Sequence, residues 1–121
     1  MNSEKITFIN HACFLYEKTS VKILFDPWFK GNVFNDSWAL LKENVIDLRV
    51  FADITHICIS HEHPDHLHFE TLRDLLKVAK TKPKLIFPKR SNPFVRQAIE
   101  KLGCEIIFIE RDGSAFEISE G

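Results

Sequence analysis

The pattern of apolar and polar residues in the first part of the chain predicts three short strands separated by close turns. Residues 4–9, 12–17 and 21–25 are rich in β-branched and aromatic side chains, and such runs with short connections are typical of an antiparallel meander. Asp26-Pro27 ends the third run, because proline lacks a backbone donor and biases the preceding residue toward an extended backbone. We therefore expect Asp26 to stand at the end of a strand.

The rest of the chain alternates apolar runs with segments of helical period. Residues 54–60 are apolar on both faces, which predicts a central strand. Residues 27–38 mix aromatic side chains with turn formers and have no clear period, and residues 47–52 fit neither pattern. A meander followed by alternating strands and helices predicts an α/β fold whose mixed sheet carries helices on one face. The further predicted elements are a short helix at 38–43, helices at 69–79 and 93–102, and strands at 84–88, 105–109 and 115–119.

The composition is that of one ordinary globular domain, which we assign to residues 1–121. Apolar residues make up 45% of the chain, charged residues 27%, and the net charge is −1. This balance gives no electrostatic case for nucleic acid or an anionic membrane as a partner. No run approaches the roughly 18 apolar residues of a membrane-spanning helix, and the N-terminus lacks the layout of a signal peptide. We therefore expect no membrane span.

The three cysteines are too far apart in the chain to form a cysteine zinc knuckle. Cys13, Cys58 and Cys104 lie in or beside predicted strands, and the chain contains no Cys-x-x-Cys. A free cysteine in a strand behaves as a small apolar residue, so we expect all three to be buried. Unpaired thiols fit a reducing compartment, and the expected location is the cytoplasm.

The residues richest in chemistry form the motif His61-x-His63-x-Asp65-His66, directly after the predicted strand at 54–60. A strand that ends in a polar loop is where α/β proteins commonly place a functional site. Neutral imidazoles and carboxylates are ligands that suit zinc and its first-row neighbours. Four donors at these spacings do not all reach one ion comfortably, whereas two ions a few ångströms apart could use them all.

The simpler alternative for this motif is a histidine-rich surface turn, or a run that resembles an engineered tag. A tag would lie at a terminus and would lack the interleaved Pro64 and Asp65. Neighbouring polar residues are expected to have no ligand role. His56 lies inside the predicted strand and is expected to be a satisfied core or interface residue. His68 stands at a helix start, and Glu62 faces solvent in an extended segment.

With these residues in view, the chain resembles the metallo-β-lactamase-fold hydrolases along essentially its whole length. The branch it looks like includes CMP-N-acetylneuraminate hydroxylase, with the L-ascorbate-6-phosphate lactonase and N-acylphosphatidylethanolamine phospholipase D branches as more distant relatives. The resemblance is carried by Asn10-His11-Ala12-Cys13, Phe25-Asp26-Pro27-Trp28-Phe29, Phe34-Asn35-Asp36-Ser37-Trp38-Ala39-Leu40 and the segment 55–68.

The resemblance implies a role for each position of the motif. His61 and His63 would bind one ion, while Asp65 and His66 would bind a second, with Asp65 also orienting the catalytic hydroxide. Asp26 would orient a ligand imidazole from outside the ligand shell, and His11 would also face the site. Two zinc ions are expected, with manganese or iron as alternatives. Flavodiiron-type members carry glutamate where this chain has His63, which favours Lewis-acid chemistry.

The resemblance also implies further ligands that this chain does not contain. Family members complete the site with another histidine, a bridging aspartate and a last histidine, and this chain has no histidine beyond His68. The expected fold is therefore the N-terminal half of an αββα sandwich, with one apolar sheet face exposed. Such a face favours self-association or pairing with a C-terminal half.

Three functions remain open at this point. The first is a metal-dependent hydrolase of the ester, lactone or phosphodiester class, acting on a small anionic or sugar-nucleotide substrate. The second is a non-catalytic metal-binding half-domain that associates through its sheet face. The third is a structural module with a vestigial loop. A Cys/His set with Rieske spacing is absent, so hydroxylation by this chain alone is not expected.

Overall fold

The computed structural model describes residues 3–43, 47–89, 92–110 and 113–118. Within these ranges the chain forms one six-stranded sheet whose strands lie side by side in chain order. The strands are β1 Glu4–Asn10, β2 Cys13–Lys18, β3 Val21–Phe25, β4 His56–Cys58, β5 Lys84–Pro88 and β6 Ile106–Ile109. The pairs β1–β2 and β2–β3 are antiparallel, and the pairs from β3 to β6 are parallel. The predicted α/β class with a mixed sheet is confirmed.

Both helices begin where the sequence predicts, because a side chain caps each of them. Helix α1 spans Phe69–Val78, and at its start the His68 Nδ1 atom accepts a hydrogen bond from the backbone N–H of Thr71 at 3.3 Å. Helix α2 spans Pro93–Glu100, and the Asn92 side chain accepts a hydrogen bond from the backbone N–H of Phe94 at 3.0 Å. Such caps satisfy donors that the first helical turn leaves unpaired. In the part of the chain described here, no helix is long and apolar enough to cross a membrane.

Two predicted elements are wrong. The helix expected at 38–43 is absent, because Trp38 forms an isolated antiparallel bridge with Val33 and Leu41 is fully exposed. The residues that follow Trp38 have other partners, since the Asn10 side chain donates to the Lys42 carbonyl and the Glu43 carboxylate accepts from the backbone N–H of Gly31. A helix this short needs a packed apolar face to persist. Residues 115–118 form no strand, and Ser119 lies outside the described residues. The ambiguous segment 47–52 contains a 3₁₀ turn, Leu48–Phe51.

The core lies between the sheet and the two helices. On this face Leu24, Ile57 and Phe87 from neighbouring strands are buried, and they belong to the same cluster as helix residues Leu72 and Ile99. Each such side chain stabilises the fold by about 1.5–3 kcal/mol when removed from water. The helices therefore cover one face of the sheet, as predicted.

The cysteines are all free, but they are not all buried as predicted. Cys13 belongs to the core, whereas Cys58 and Cys104 are half-buried. Burial, with the charge of Asp26 as a smaller cause, raises the pKa of the Cys58 thiol to about 11. Burial likewise raises the pKa of Cys13. Neither of these two thiols is a thiolate at neutral pH, so neither offers a reactive nucleophile.

The opposite face of the sheet is apolar and open to solvent at the β1 edge. The register places Phe8, Phe14 and Phe25 in one row across β1, β2 and β3, with the Phe14 and Phe25 rings stacked at 4.5 Å. Phe8 is 70% exposed and Ile6, two residues earlier on the same face, is 69% exposed. These side chains form an apolar surface that lacks a cover at this edge.

Candidate metal centre

The motif lies at the carboxyl ends of two adjacent parallel strands. Because β3 and β4 run parallel, with Phe25 beside Cys58, the residues that follow each strand meet at one edge of the sheet. The backbone N–H of Asp26 donates to the Cys58 carbonyl at 2.9 Å, and the backbone N–H of Ser60 donates to Asp26 Oδ1 at 2.7 Å. This exchange explains why β4 ends at Cys58, before the predicted strand end at residue 60.

Asp26 is the hub of a hydrogen-bond network that reaches two imidazoles of the motif. The Ser60 hydroxyl donates to Asp26 Oδ2 at 2.6 Å, and His66 Nδ1 donates to the same oxygen at 2.9 Å. Because the single proton of Ser60 is given to Asp26, the 2.8 Å contact between Ser60 Oγ and His61 Nδ1 requires His61 to be the donor. In the neutral form of each imidazole, these contacts place the proton on Nδ1 and leave the lone pair on Nε2.

Asp65 lies between His11 and His66. The His11 Nε2 atom donates to Asp65 Oδ2 at 3.0 Å, and His66 Nε2 lies 3.4 Å from that same oxygen. One ligand atom from each of the three residues falls within 4.8 Å of the others. Two ligands of one tetrahedral zinc ion, with bonds of roughly 2.0–2.1 Å, are about 3.4 Å apart. The Asp65–His66 spacing therefore fits a shared ion.

Burial and charge both act on the ionisation of the site. Asp65 is buried, which alone would raise its pKa, but the hydrogen bond from His11 and the charge of His66 bring the pKa below its usual value. Burial, followed by the neighbouring charges of His66 and His63, lowers the pKa of His61. An ionised carboxylate and a neutral imidazole are the forms that bind a metal.

The remaining motif residues extend the cluster. The His61 ring centroid lies 4.0 Å from that of His66 and 4.6 Å from that of His63. Glu62 differs from the prediction, since one of its carboxylate oxygens is buried without a hydrogen-bond partner instead of facing solvent. In the part of the chain that the structure describes, the group whose ligand atoms converge is His11, Asp65 and His66. His61 and His63 lie beside it by ring distance, and imidazoles with a buried carboxylate are ligand types that suit a divalent cation.

Two histidines lie apart from this cluster, as expected. His56 is buried in β4, where its Nδ1 atom is 2.8 Å from Thr55 Oγ1. His68 caps α1. Burial is the main cause that lowers the pKa of each.

Sequence reasoning missed two residues that hold the site in place. Ser60 joins Asp26 to His61, and the signal for it was its position directly before the motif. Trp28 is buried, and its ring meets the His11 ring edge-on at 5.1 Å. The Trp28 indole is itself fixed by donating to the carbonyls of Lys30 and Gly31, both at 3.1 Å. Its signal was the Asp-Pro-Trp run after β3.

Comparison with known proteins gives relatives of both hydrolase and hydroxylase description. The chain is 39% identical over 75 residues to cytidine monophosphate-N-acetylneuraminic acid hydroxylase of Danio rerio, a match that covers 60% of this chain and 12% of that protein. In fold it is similar to a possible metal-dependent hydrolase from Veillonella parvula, with a TM-score of 0.65, 13% identity, and coverage of 90% of this chain and 43% of the other.

A second structural relative is CmlA, a diiron β-hydroxylase from Streptomyces venezuelae. The TM-score is 0.61 at 21% identity, over 91% of this chain and 21% of that chain. The chain thus spans less than half of each of these relatives, and the structural matches, at such low identity, establish the fold alone. A family model described as the beta-lactamase superfamily domain matches residues 5–115. With the sheet order and the clustered motif, this match shows that the chain belongs to the β-lactamase superfamily domain family.

Proposed function

We propose that this chain carries the metal-binding half of a metal-dependent hydrolase of the ester, lactone or phosphodiester class. The observation that supports this most is the Asp26–Ser60 network, which leaves the Nε2 atoms of His61 and His66 unprotonated beside the ionised Asp65. A surface turn has no need of fixed tautomers or of a buried carboxylate. The arrangement is the one that ligation of a cation requires.

In this proposal each residue has one task. His61 and His63 bind one ion, and Asp65 and His66 bind the second. Zinc is the expected metal from the ligand types, and manganese or iron are the alternatives. When bound, such cations would lower the pKa of a coordinated water toward about 7 and would polarise the substrate oxygen.

The protein groups around these ligands fix geometry. Asp26 holds the His66 ring so that its Nε2 atom faces Asp65. His11, itself braced by Trp28, donates to Asp65 and restrains the carboxylate. With one oxygen so restrained, Asp65 is the residue proposed to orient the attacking hydroxide. Groups locked from outside the ligand shell raise ligand basicity and limit motion during reaction.

The proposed substrate is a small anionic molecule, and the relative from Danio rerio suggests a sugar nucleotide. That relative is named for a cytidine monophosphate sugar. Cationic metal centres attract anionic groups. This fits a substrate that carries a carboxylate or a phosphate next to the ester or phosphodiester bond. We further propose that residues 1–121 act as one partial domain, and that the free cysteines reflect a reducing, cytoplasmic location.

A second candidate is a metal-binding half-domain without catalytic activity, which associates through its open sheet face. The exposed Phe8 and Ile6 favour it, because side chains of this size at 70% and 69% exposure gain most from burial against a partner. The partner would be a second copy or a complementary half of the fold.

Metal content and turnover measured together distinguish these candidates. Zinc per chain is measured by mass spectrometry after dialysis, and hydrolysis of bis-p-nitrophenyl phosphate is followed on the same samples. Two zinc ions with turnover support the hydrolase, whereas one weakly held ion without turnover supports the half-domain. A protein that binds none of zinc, manganese and iron contradicts both proposals.

Matched variants assign the result to the motif. His61→Ala is expected to abolish turnover and to lower the zinc content. His68→Asn removes an imidazole outside the cluster and keeps a good helix cap, so it is expected to retain the zinc of the wild type. Retained turnover in His61→Ala would rule out the assigned ligands.

A further inference from the structure

The geometry points to Phe34 and Trp38 as an aromatic wall at the mouth of the metal centre, which stacks on a flat ring of the substrate. This inference deepens the proposed function, because it assigns the chemical class of the group next to the bond that is cleaved. The aromatic wall is defined as the side chains of these two residues, on the loop between β3 and β4.

The aromatic wall stands next to the metal site through Phe34. The centroid of the Phe34 ring lies 6.3 Å from that of His63, in an edge-on arrangement, and 5.1 Å from that of Trp38, with the two planes tilted by 60°. Trp38 is 51% exposed, whereas Trp28 on the inner side of the site is 1% exposed. Trp28 is used by the core and by His11, so Trp38 is the indole that offers an open surface.

The backbone of this loop is held in a conformation that its side chains disfavour. Phe34, Asn35 and Asp36 have φ values of 55°, 54° and 65°, three left-handed residues in succession without a glycine. Asparagine and aspartate tolerate this region, but a bulky phenylalanine rarely adopts it. Strain of this kind persists where the surroundings impose it, and it clusters at ligand-binding sites.

The surroundings of the turn are well defined. Val33 and Trp38 exchange two backbone hydrogen bonds of 3.0 and 3.1 Å, and the backbone N–H of Ser37 donates to the Phe34 carbonyl at 3.1 Å. The Ser37 hydroxyl donates to that carbonyl as well, at 2.6 Å, and Val33 anchors the turn in the interior. The backbone that carries the two rings is therefore held in place before a ligand arrives, which lowers the entropy lost on binding.

The position of the aromatic wall fixes where the flat ring must be. Because the Phe34 ring centroid lies 6.3 Å from that of His63, one small ligand can place a flat ring on this wall and an anionic group at the metal centre. Aromatic side chains stack on any planar π-system, and loss of one such stack typically weakens binding roughly five-fold or more. An aryl ester and a nucleoside phosphate share this feature, and a simple alkyl ester lacks it.

Three phosphonates test the inference with the zinc-loaded protein, because the P–C bond resists hydrolysis. Methylphosphonate, phenylphosphonate and cyclohexylphosphonate share one anionic head and differ in having no ring, a flat ring and a puckered ring. Dissociation constants are measured by titration calorimetry. Phenylphosphonate is expected to bind at least about five-fold more tightly than either of the others.

Variants assign this preference to the wall. Trp38→Ala and Phe34→Ala are each expected to remove most of the preference for phenylphosphonate, whereas Trp38→Phe keeps a stacking face and retains it. Phe94→Ala is the control, since Phe94 is 78% exposed on α2, away from the site. Trp38 is half exposed, so Trp38→Ala is expected to keep the fold. Circular dichroism checks the fold of every variant, and if Phe34→Ala misfolds, the Trp38 variants decide the test.

Several outcomes overturn the inference. Equal affinity of the wild type for methylphosphonate and phenylphosphonate would show that no ring is recognised. Equal affinity for phenylphosphonate and cyclohexylphosphonate would show a general apolar patch instead of a stacking surface. A preference for phenylphosphonate that survives Trp38→Ala would show that Trp38 is not the stacking residue. The zinc content of the same samples distinguishes failure of this inference from failure of the proposed function. A protein that binds zinc but shows no preference for phenylphosphonate contradicts the aromatic wall alone. A protein that binds no zinc contradicts the hydrolase, and the aromatic wall is then tested by the same three titrations without metal.

Discussion

Asp26 and His66 are joined by a hydrogen bond of 2.9 Å between the carboxylate and Nδ1, across a separation of 40 residues in the chain. The bond sets the tautomer of His66, because a carboxylate only accepts, so that the lone pair lies on Nε2. That atom is 3.4 Å from Asp65 Oδ2. A residue outside the ligand set thus decides which atom of His66 faces the proposed ion.

Replacement of Asp26 by asparagine is expected to weaken zinc binding by roughly 10- to 100-fold, the usual cost of losing a partner that orients a ligand. The amide keeps the size of the side chain but offers a weaker acceptor for His66 and Ser60. Zinc affinity is measured by competition with a chromophoric chelator. Asp53→Asn, an exposed carboxylate paired with Lys22, serves as the control; equal affinities for both variants and the wild type would contradict the role of Asp26.

Ser60→Ala is expected to let the His61 imidazole adopt both neutral tautomers, while His66 keeps its proton on Nδ1. In the wild type the His61 Nδ1 proton is committed to Ser60 Oγ, and His66 bonds directly to Asp26. Nitrogen-15 NMR of the metal-free protein at pH 8 reports which ring nitrogen carries the proton. We expect both imidazoles as Nδ1–H tautomers in the wild type and a mixture at His61 alone in the variant. A wild type in which His61 is already mixed would argue against the network.

Sequence pattern was enough to predict the sheet and the strand end where the histidine motif lies. Apolar runs at 21–25 and 54–60 predicted two strands, and their parallel pairing alone brings Asp26 beside the motif. The motif histidines follow from residue type and spacing. The same reasoning did not find Ser60, because its partner Asp26 is 34 residues away and no local pattern encodes that contact.

The wrong helix prediction has its physical origin in the loop between β3 and β4. Residues 38–43 look helical in isolation, but the paired backbone of Val33 and Trp38 takes them out of the helical region. Left-handed residues without glycine, such as His11 at φ 53° and Phe34 at φ 55°, also leave no mark in a hydrophobic pattern. Both are imposed by tertiary contacts, which override weak local preference.

The metal-free protein is expected to lose stability as the pH falls from 7 toward 5. Burial is the main cause that lowers the pKa of His56 and of His68 in the folded state. The unfolded chain, with histidine pKa near 6.5, then binds more protons, so the stabilisation is present above that pKa and is lost as the pH falls through the folded values. Thermal unfolding at pH 7.5 and 5.0 measures this loss.

A variant isolates the contribution of one imidazole to this pH dependence. His68→Asn keeps the cap of α1 and removes the titrating group, so the midpoint of unfolding is expected to depend less on pH than in the wild type. Zinc is removed with a chelator beforehand, since bound metal would add a pH dependence of its own. A midpoint that rises on acidification in the wild type would contradict the sign of the shift.

The open sheet face makes a prediction about association. Phe8 is 70% exposed on β1, in a row with Phe14 and Phe25, and association would bury this row. Phe8→Lys places a charge where a partner would have to desolvate it, a cost that exceeds any gain from contact. In sedimentation velocity over a range of concentrations, the wild type is expected to self-associate and Phe8→Lys to stay monomeric. Phe94→Lys, which changes an equally exposed aromatic on the helical side, is expected to behave as the wild type. A wild type that remains a monomer at every concentration excludes a second copy as the partner of this face.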